Sequence, residues 1–455
     1  MTQTHILVIP YPAQGHVIPS MQLSHELVKH GIKVTFVNTD FTHNRIVKAL
    51  QEKCVVGNEI QLVSIPDGLE DGEDRNNLGK LTEVLFEVMP KKLEMLIEEI
   101  NKSVSNKITC IVADGNLGWA LEVSKKMGIR TVAFWPASAS LLILFFSLQK
   151  LIDDGIIDRD GTPAKDTTIQ LSPMMPVMRT TEFTWACIGD KKTTKITIEA
   201  VKRNNKALKV AEWVICNSTY NHEAAALAFA PEILPIGPLL ESNHIEYLAA
   251  NFWPEDSTCL NWLDQQQPNS VIYVAFGSFT IFDHRQLQEL AHGLEQCNKP
   301  FLWVVRSDIN NGKNEIFLKE FEERMFPHGK VVQWAPQKKV LSHPSVACFL
   351  SHCGWNSIME GTTNGVTFLC WPYFADQFIN ETYICDIWKV GLKLDRNSGI
   401  ITREDITCKI KQLLLDEEFQ IRALKLKKSA LNSVKEGGSS NKNFNDFIDW
   451  IKSYA

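Results

Sequence analysis

The sequence predicts an α/β protein of two domains, each built on a parallel sheet covered on both faces. Three observations lead there. Apolar, β-branched runs alternate with helical patterns through both halves of the chain. The runs lack the apolar–polar alternation of a sheet with one wet face, so they read as strands buried on both sides. The pattern lapses once, among four prolines between Pro231 and Pro254, and then restarts. A chain of 455 residues is also too long for one ordinary core.

Taken in order, "HILVIP" is the first strand, and "VIPSMQLSHELVKHG" is a helix closed by Gly31. "KVTFVNT", "ITCIVAD" and "RTVAF" follow as strands, with a helix through "GWALEVSKKMG", and "AEWVICNS" closes the series. The second half reads "SVIYVAFGS", a helix through "RQLQELAHGLEQC", then "PFLWVVR", "GKVVQW", "VACFLSH" and "TFLCWP". The expected boundaries are 1–238 for the first domain, 239–256 for a linker and 257–438 for the second domain. A final helix at 439–455 is expected to pack back on the first. Two such halves leave a cleft, and domain interfaces are favoured places for ligands.

Composition excludes several classes. With 44% hydrophobic and 22% charged residues the chain is a soluble globular type, and a net charge of -6 gives no broad nucleic-acid footprint. The 11 cysteines are scattered, with no CxxC pair, which fits reduced thiols in the cytosol. The N-terminus lacks the pattern of a signal peptide. The most apolar stretch, Ala137 to Leu148, is too short to span a bilayer and reads as a buried helix. The expectation is a cytoplasmic monomer.

The densest chemistry lies in "WAPQKKVLSHPSVACFLSHCGWNSIMEG", from Trp334. A metal site is disfavoured. His352 and Cys353 are adjacent, adjacent strand residues point to opposite faces, and no further Cys or His pair has ligand spacing. A thiol nucleophile beside His352 fails on the same geometry. A ligand cradle fits better. "VACFLSH" is a buried strand, Gly354 permits a sharp turn, and "NSIMEGTTN" starts a helix capped by Asn356 or Ser357. Such a turn aims backbone N–H groups and the positive end of a helix dipole at one point, which suits a phosphate. His352 and Ser357 can add donors, and Glu360 can accept from ribose hydroxyls. The face of Trp334 can stack on a base, worth roughly 1–3 kcal/mol by analogy with single-strand binders.

Two further residues lie at the carboxyl edge of the first sheet. His16 follows the first strand in "PAQGH", where open α/β sheets bind ligands. It either acts as a general base or merely begins the next helix. Asp114 ends "TCIVAD", where it either orients an imidazole or caps a helix.

The stretch from Trp334 to Gln377 resembles the 44-position signature box of plant UDP-sugar-dependent small-molecule glycosyltransferases. "IPYPAQGHVIP", "VADGNLGWALEV" and "VAFGS" extend the resemblance over nearly the whole chain. It implies two facing Rossmann-like domains of the GT-B type, with the donor held by the second and the acceptor by the first. It implies that Trp334 stacks on uracil, that Gln337 and Glu360 hold the ribose, and that His352, Asn356 and Ser357 hold the diphosphate. Asp376 and Gln377 hold the sugar hydroxyls, Ser278 and Thr280 add phosphate-side contacts, and Ala335 and Trp355 complete the donor set. His16 and Asp114 become the catalytic dyad of an inverting transfer. The donor implied is UDP-glucose, because Gln377 stands where galactose users tend to carry His. No metal and no cofactor beyond the UDP-sugar are implied.

Three positions depart from the family pattern. Ala347 stands for glycine and Thr367 for proline, away from the chemistry. Trp135-Pro136 replaces Trp-Thr, which removes a hydroxyl near the sugar, and whether Ser138, two residues on, replaces it is left open by the sequence. The acceptor is expected to be a flavonoid or other phenolic, with a terpenoid second, against walls including Trp135, Leu141, Phe145 and Phe183. The rival classes are a sugar-nucleotide epimerase and an inactive UDP-sugar binder. A metal-dependent transferase would use "DRD", Asp158–Asp160, but that element sits in a Gly- and Asp-rich turn. NAD-linked redox lacks the Gly-rich fingerprint.

Overall fold

The computed structural model describes residues 4–50, 60–103, 106–239, 250–306, 312–396 and 399–453. The chain forms two compact units. The first holds Met1–Trp253, Phe374–Asp376 and Asn432–Ala455; the second holds Pro254–Tyr373 and Gln377–Leu431. The stretch read as a linker, 239–256, lies mostly outside the described residues.

In the first unit the strands are β1 (His5–Ile9), β2 (Lys33–Thr39), β3 (Ile60–Ile65), β4 (Cys110–Asp114) and β5 (Arg130–Trp135). A short antiparallel pair follows, β6 (Thr168–Ile169) with β7 (Met178–Arg179), and then β8 (Trp213–Cys216) and β9 (Ile233–Pro235). The main sheet runs β3-β2-β1-β4-β5-β8-β9, with every neighbour parallel. Strand order reverses between β1 and β4, whose register pairs Ile9 with Ala113. Val8, Val34, Phe36, Val112 and Phe134 form a core under one face. The C-terminal helix Ser439–Lys452 adds Phe444, Phe447, Ile448 and Ile451 to it. Arg130 lies over the Trp450 ring, 3.3 Å from its centroid, and donates to the Trp450 carbonyl at 2.7 Å.

The second unit contains β10 (Val271–Ala275), β11 (Phe301–Val304), β12 (Gly329–Val332), β13 (Val346–Ser351), β14 (Thr367–Cys370) and β15 (Gly391–Lys393). Their order is β12-β11-β10-β13-β14-β15, again all parallel, and it reverses between β10 and β13. Successive residues of β10 serve opposite cores. Val271, Tyr273 and Ala275 join one cluster, and Ile272 and Val274 join the other. A strand buried on both faces has no polar side to display, which is why these segments read as continuous apolar runs.

Two expectations need correction. "AEWVICNS" does not close the first series, because β9 follows it at the sheet edge. That strand has three residues and ends in Pro235, and proline is tolerated there because an edge strand leaves one side of its ladder unpaired. Strands β3 and β15 also escaped the sequence reading, β3 because three of its residues are only partly buried and β15 because it is short. The apolar run at Ala137–Leu148 forms the buried helix Ala139–Phe146. Among the described residues no helix is long and apolar enough to cross a membrane.

Removing a buried anchor of the C-terminal helix tests its place in the first core. Phe447→Ala should destabilise the first unit by about 3–5 kcal/mol. Leu415→Ala, at an 81% exposed position, should stay within about 0.5 kcal/mol. Urea unfolding of the two variants checks both values.

Candidate active site

The loop after β1 enters the helix Gln14–Lys29 through Ala13, which has extended backbone angles. His16 lies in the first turn, its N–H bonded to the Ala13 carbonyl at 2.9 Å. It therefore does begin a helix, and its ring also faces the end of β4. His16 Nδ1 donates to Asp114 Oδ2 at 2.7 Å. The carboxylate only accepts, so Nδ1 carries the proton and Nε2 keeps its lone pair. Asp114 is 1% exposed, while the His16 side chain keeps 25% of its surface. The other carboxylate oxygen accepts from the Asn116 N–H at 2.9 Å and from Asn116 Nδ2 at 3.2 Å.

Burial resists charge on His16, but the Asp114 carboxylate outweighs it by proximity and by the hydrogen bond. Asp376, which counts with the first unit, adds to this, and the imidazole lies above its ordinary value of 6.5. Tyr11, which the sequence reading missed, packs 5.2 Å from the His16 ring. Burial pushes its hydroxyl up to about 12, so it stays neutral. The available signal was an aromatic in the same loop.

In the second unit the turn after β13 differs from expectation. Cys353, and not Gly354, takes the left-handed backbone, with φ of 64°. Gly354 is the helix N-cap, with φ −65° and ψ 140°, and the helix spans Trp355–Asn364. Asn356 and Ser357 are thus inside the first turn and do not cap it. Glycine at 354 answers a steric demand. A Cβ there would lie 2.4 Å from His352 Nε2, and one at Gly277 would lie 2.5 Å from the same atom. Two glycines from the ends of β10 and β13 thus make room for one imidazole. Burial pushes His352 down to about 4, and the positive charge of Arg306 acts in the same direction.

The helix brings together residues expected to act apart. Gln337 Nε2 donates to Ser357 Oγ and to Glu360 Oε2, both at 2.8 Å. Tyr273, a second residue the sequence reading missed, donates its hydroxyl to Gln337 Oε1 at 3.1 Å. A tyrosine in an otherwise aliphatic strand was the signal for it. Trp334 is half-buried just beyond β12, its carbonyl accepting from the Asp256 N–H at 2.8 Å, and Ala335 is buried beside it. Thr280 is buried, with Oγ1 lacking a partner among the described residues, and Ser278 is half-buried in the same turn. Gln377 begins the helix Gln377–Thr382, and its Oε1 accepts from the Tyr373 N–H at 2.7 Å. Asp376 is half-buried just before it.

Three expectations change. Trp355 is only 3% exposed and its ring packs in the core against Tyr383 and Trp388. Trp135, Leu141, Phe145 and Phe183 are core as well, none above 6% exposed. Trp135 meets Phe145 edge-on, and Phe145 and Phe183 both contact Trp185. A buried helix and a pocket wall carry the same apolar signature, and here burial takes the side chains. Ser138 is fully buried as the N-cap of Ala139–Phe146, accepting from the Leu141 N–H at 3.3 Å. In "DRD", Asp158 accepts from the N–H groups of Asp160 and Thr162, and Asp160 pairs with Lys195 at 3.3 Å. Both carboxylates are engaged by the turn and its surroundings.

A family model described as UDP-glucoronosyl and UDP-glucosyl transferase matches residues 247–432. UDP-glycosyltransferase 83A1 of Arabidopsis thaliana is 48% identical over 100% of this chain and 98% of its own length. (R)-mandelonitrile beta-glucosyltransferase of Prunus dulcis is 33% identical, covering 96% of this chain and 94% of its own. Among solved structures, Phytolacca americana UGT2 complexed with UDP-2fluoro-glucose and pterostilbene superimposes with a TM-score of 0.81 at 26% identity, over 99% of each chain.

The electrostatics of the dyad can be tested directly. Followed by NMR, His16 should titrate above 6.5, staying protonated to higher pH than a free imidazole. Asp114→Asn removes the largest opposing charge, so burial should then carry the midpoint downward. An unchanged midpoint would mean that the 2.7 Å contact does not set the charge of His16.

Proposed function

This chain belongs to the UDP-glucoronosyl and UDP-glucosyl transferase family, and we propose that it moves glucose from UDP-glucose to a hydroxyl of a small hydrophobic acceptor with inversion at the anomeric carbon. The observation that carries the reading is the 2.7 Å pair of His16 and Asp114 at the carboxyl edge where β1 and β4 part. A neutral hydroxyl is a poor nucleophile. A base at Nε2 takes its proton as the oxygen attacks C1, while the bond from C1 to the diphosphate oxygen breaks on the opposite face. The product is a β-glucoside, UDP leaves, and the proton rests on His16. Asp114 offsets the new imidazolium through the Nδ1 hydrogen bond. A protein that only bound UDP-sugar would have no use for this pair.

The donor belongs to the second unit in this reading. The first N–H groups of Trp355–Asn364 have no intrahelical acceptor, and with the dipole they favour the diphosphate. His352, held neutral near pH 7, can donate a hydrogen bond to the leaving phosphate. The linked Gln337 and Glu360 face the ribose and Trp334 the base. Ser357, expected at the phosphate, joins this group through Gln337. Asp376 and Gln377 meet the sugar. Helix N–H groups supply the positive potential that a metal supplies elsewhere, so turnover should survive EDTA. The relatives support glucose as the sugar and an alcohol or phenol as the acceptor: one is named for β-glucosyl transfer to mandelonitrile, and one binds a fluoro-glucose donor with the phenol pterostilbene. The pterostilbene complex supports a phenolic acceptor.

His16→Ala should lower kcat by roughly 10²–10⁴ and leave UDP affinity nearly unchanged, since the base acts on the acceptor. Steady-state rates with UDP-glucose and a set of phenols and alcohols, with UDP calorimetry alongside, check this. Turnover of a weakly acidic alcohol at the normal rate by the variant, or an α-linked product, would sink the mechanism.

A further inference from the structure

The short helix Gln377–Thr382 buries an unusual set of residues. Gln377, Asn380 and Glu381, at i, i+3 and i+4, are all buried, so its inward face is largely polar. Buried polar groups need partners, and those of this helix are informative. Gln377 accepts from the Tyr373 N–H in the preceding loop. Glu381 pairs with Arg396 at 2.7 Å, which anchors the C-terminal end. Asn380, with 0% exposure, donates Nδ2 to the carbonyl of Cys353 at 3.0 Å. The partner is a carbonyl oxygen, so the amide nitrogen must face it.

Cys353 is the residue with φ of 64° in the turn that starts the helix Trp355–Asn364. A non-glycine residue persists in that region only where its surroundings hold it. Cys353 is fully buried and its Sγ meets the Ser351 carbonyl at 3.5 Å, and its backbone is held from two sides. Ser351 Oγ accepts from the Cys353 N–H at 3.1 Å, and Asn380 donates to the Cys353 carbonyl. The direction of that peptide group sets where Gly354 and the first helical N–H groups point.

We propose that Asn380 is a positioning residue for the donor site. Its amide fixes the left-handed turn at Cys353 and so aims the start of the helix Trp355–Asn364 at the diphosphate. Because Asn380 rides on the helix that begins at Gln377, it also ties the phosphate-side turn to the sugar-side loop. The inference rests on the donor-site reading above and adds a residue outside the Trp334–Gln377 box.

The test is calorimetry with UDP alone on the full chain, with thermal melts and steady-state kinetics alongside. Wild type should bind UDP. Asn380→Ala should weaken UDP by roughly 10-fold, about the worth of a buried hydrogen bond, and raise the KM for UDP-glucose in step. The acceptor KM should hold. Asn380→Asp keeps the shape but removes the N–H donor, so it should weaken UDP similarly and carries the test if the alanine variant does not fold. Cys353→Gly placed in either background should recover most of the lost affinity, because glycine adopts the left-handed backbone without a clamp. UDP binding equal to wild type in both Asn380 variants would overturn the proposal. So would a loss of affinity that falls with the melting point and is not recovered by Cys353→Gly. Failure of the wild type itself to bind UDP would remove the donor-site reading first and this inference with it.

Discussion

The reversal of strand order within each parallel sheet is the constraint from which the rest follows. Strands on either side of the reversal send their connections to opposite faces, so the loops at their carboxyl ends diverge and leave backbone groups uncovered. In the first unit the reversal falls between β1 and β4, and the residues there are His16 and Asp114. In the second it falls between β10 and β13, and the residues there are the Gly277–Thr280 turn and His352. Neither set is close in sequence. Parallel register brings each together, and a slip of one residue would turn Asp114 away from the imidazole.

The two histidines show how burial at a sheet edge can accompany opposite chemistry. His352 directly follows β13 and His16 lies in the first turn of the helix after β1, and burial disfavours the charged form of each. His16 meets a carboxylate that is itself held by the Asn116 N–H, and its proton affinity rises. His352 is pressed between two glycines, lies near Arg306, and is pushed down to about 4. The first is therefore suited to gaining a proton near neutral pH. The second is suited to remaining uncharged. The partner charge decides the outcome, since burial is common to both.

Much of this was legible in the sequence, for physical reasons that also mark where legibility stops. Central parallel strands are apolar on both faces, so β1, β4, β10 and β13 stood out as runs, whereas β9 and β15, of three residues each at sheet edges, did not. The carboxylate ends such a run and the histidine lies in the first turn of the helix that follows one, which places both at the sheet edge. Local propensity puts the helix cap at Asn356 or Ser357. The structure uses Gly354, whose reason is the space taken by His352 across the turn, a contact that local propensity cannot reveal. The expected wall residues of the first unit lie in its core for a different reason. Periodicity reports that Leu141 and Phe145 face something apolar, and it is silent on whether that is a ligand or Trp135 and Trp185.

The segment after β5 limits what can select the sugar. Pro136 has no hydroxyl, and Ser138 is committed: its Oγ caps a helix and its carbonyl accepts from Trp135 Nε1 at 2.8 Å. The same helix start is held by Glu223, which accepts from the N–H groups of Ala139 and Ser140 and from Ser218 Oγ at 2.6 Å. Freeing Ser138 would mean dismantling a buried network, so this segment cannot readily supply a sugar contact. Under the proposed reading the selection then falls on Asp376 and Gln377. Gln377 commits its Oε1 to the Tyr373 N–H, which fixes the orientation of the amide and turns its nitrogen the other way. In that reading an amide of fixed orientation and a neighbouring carboxylate meet the sugar hydroxyls, without needing the threonine that this chain lacks.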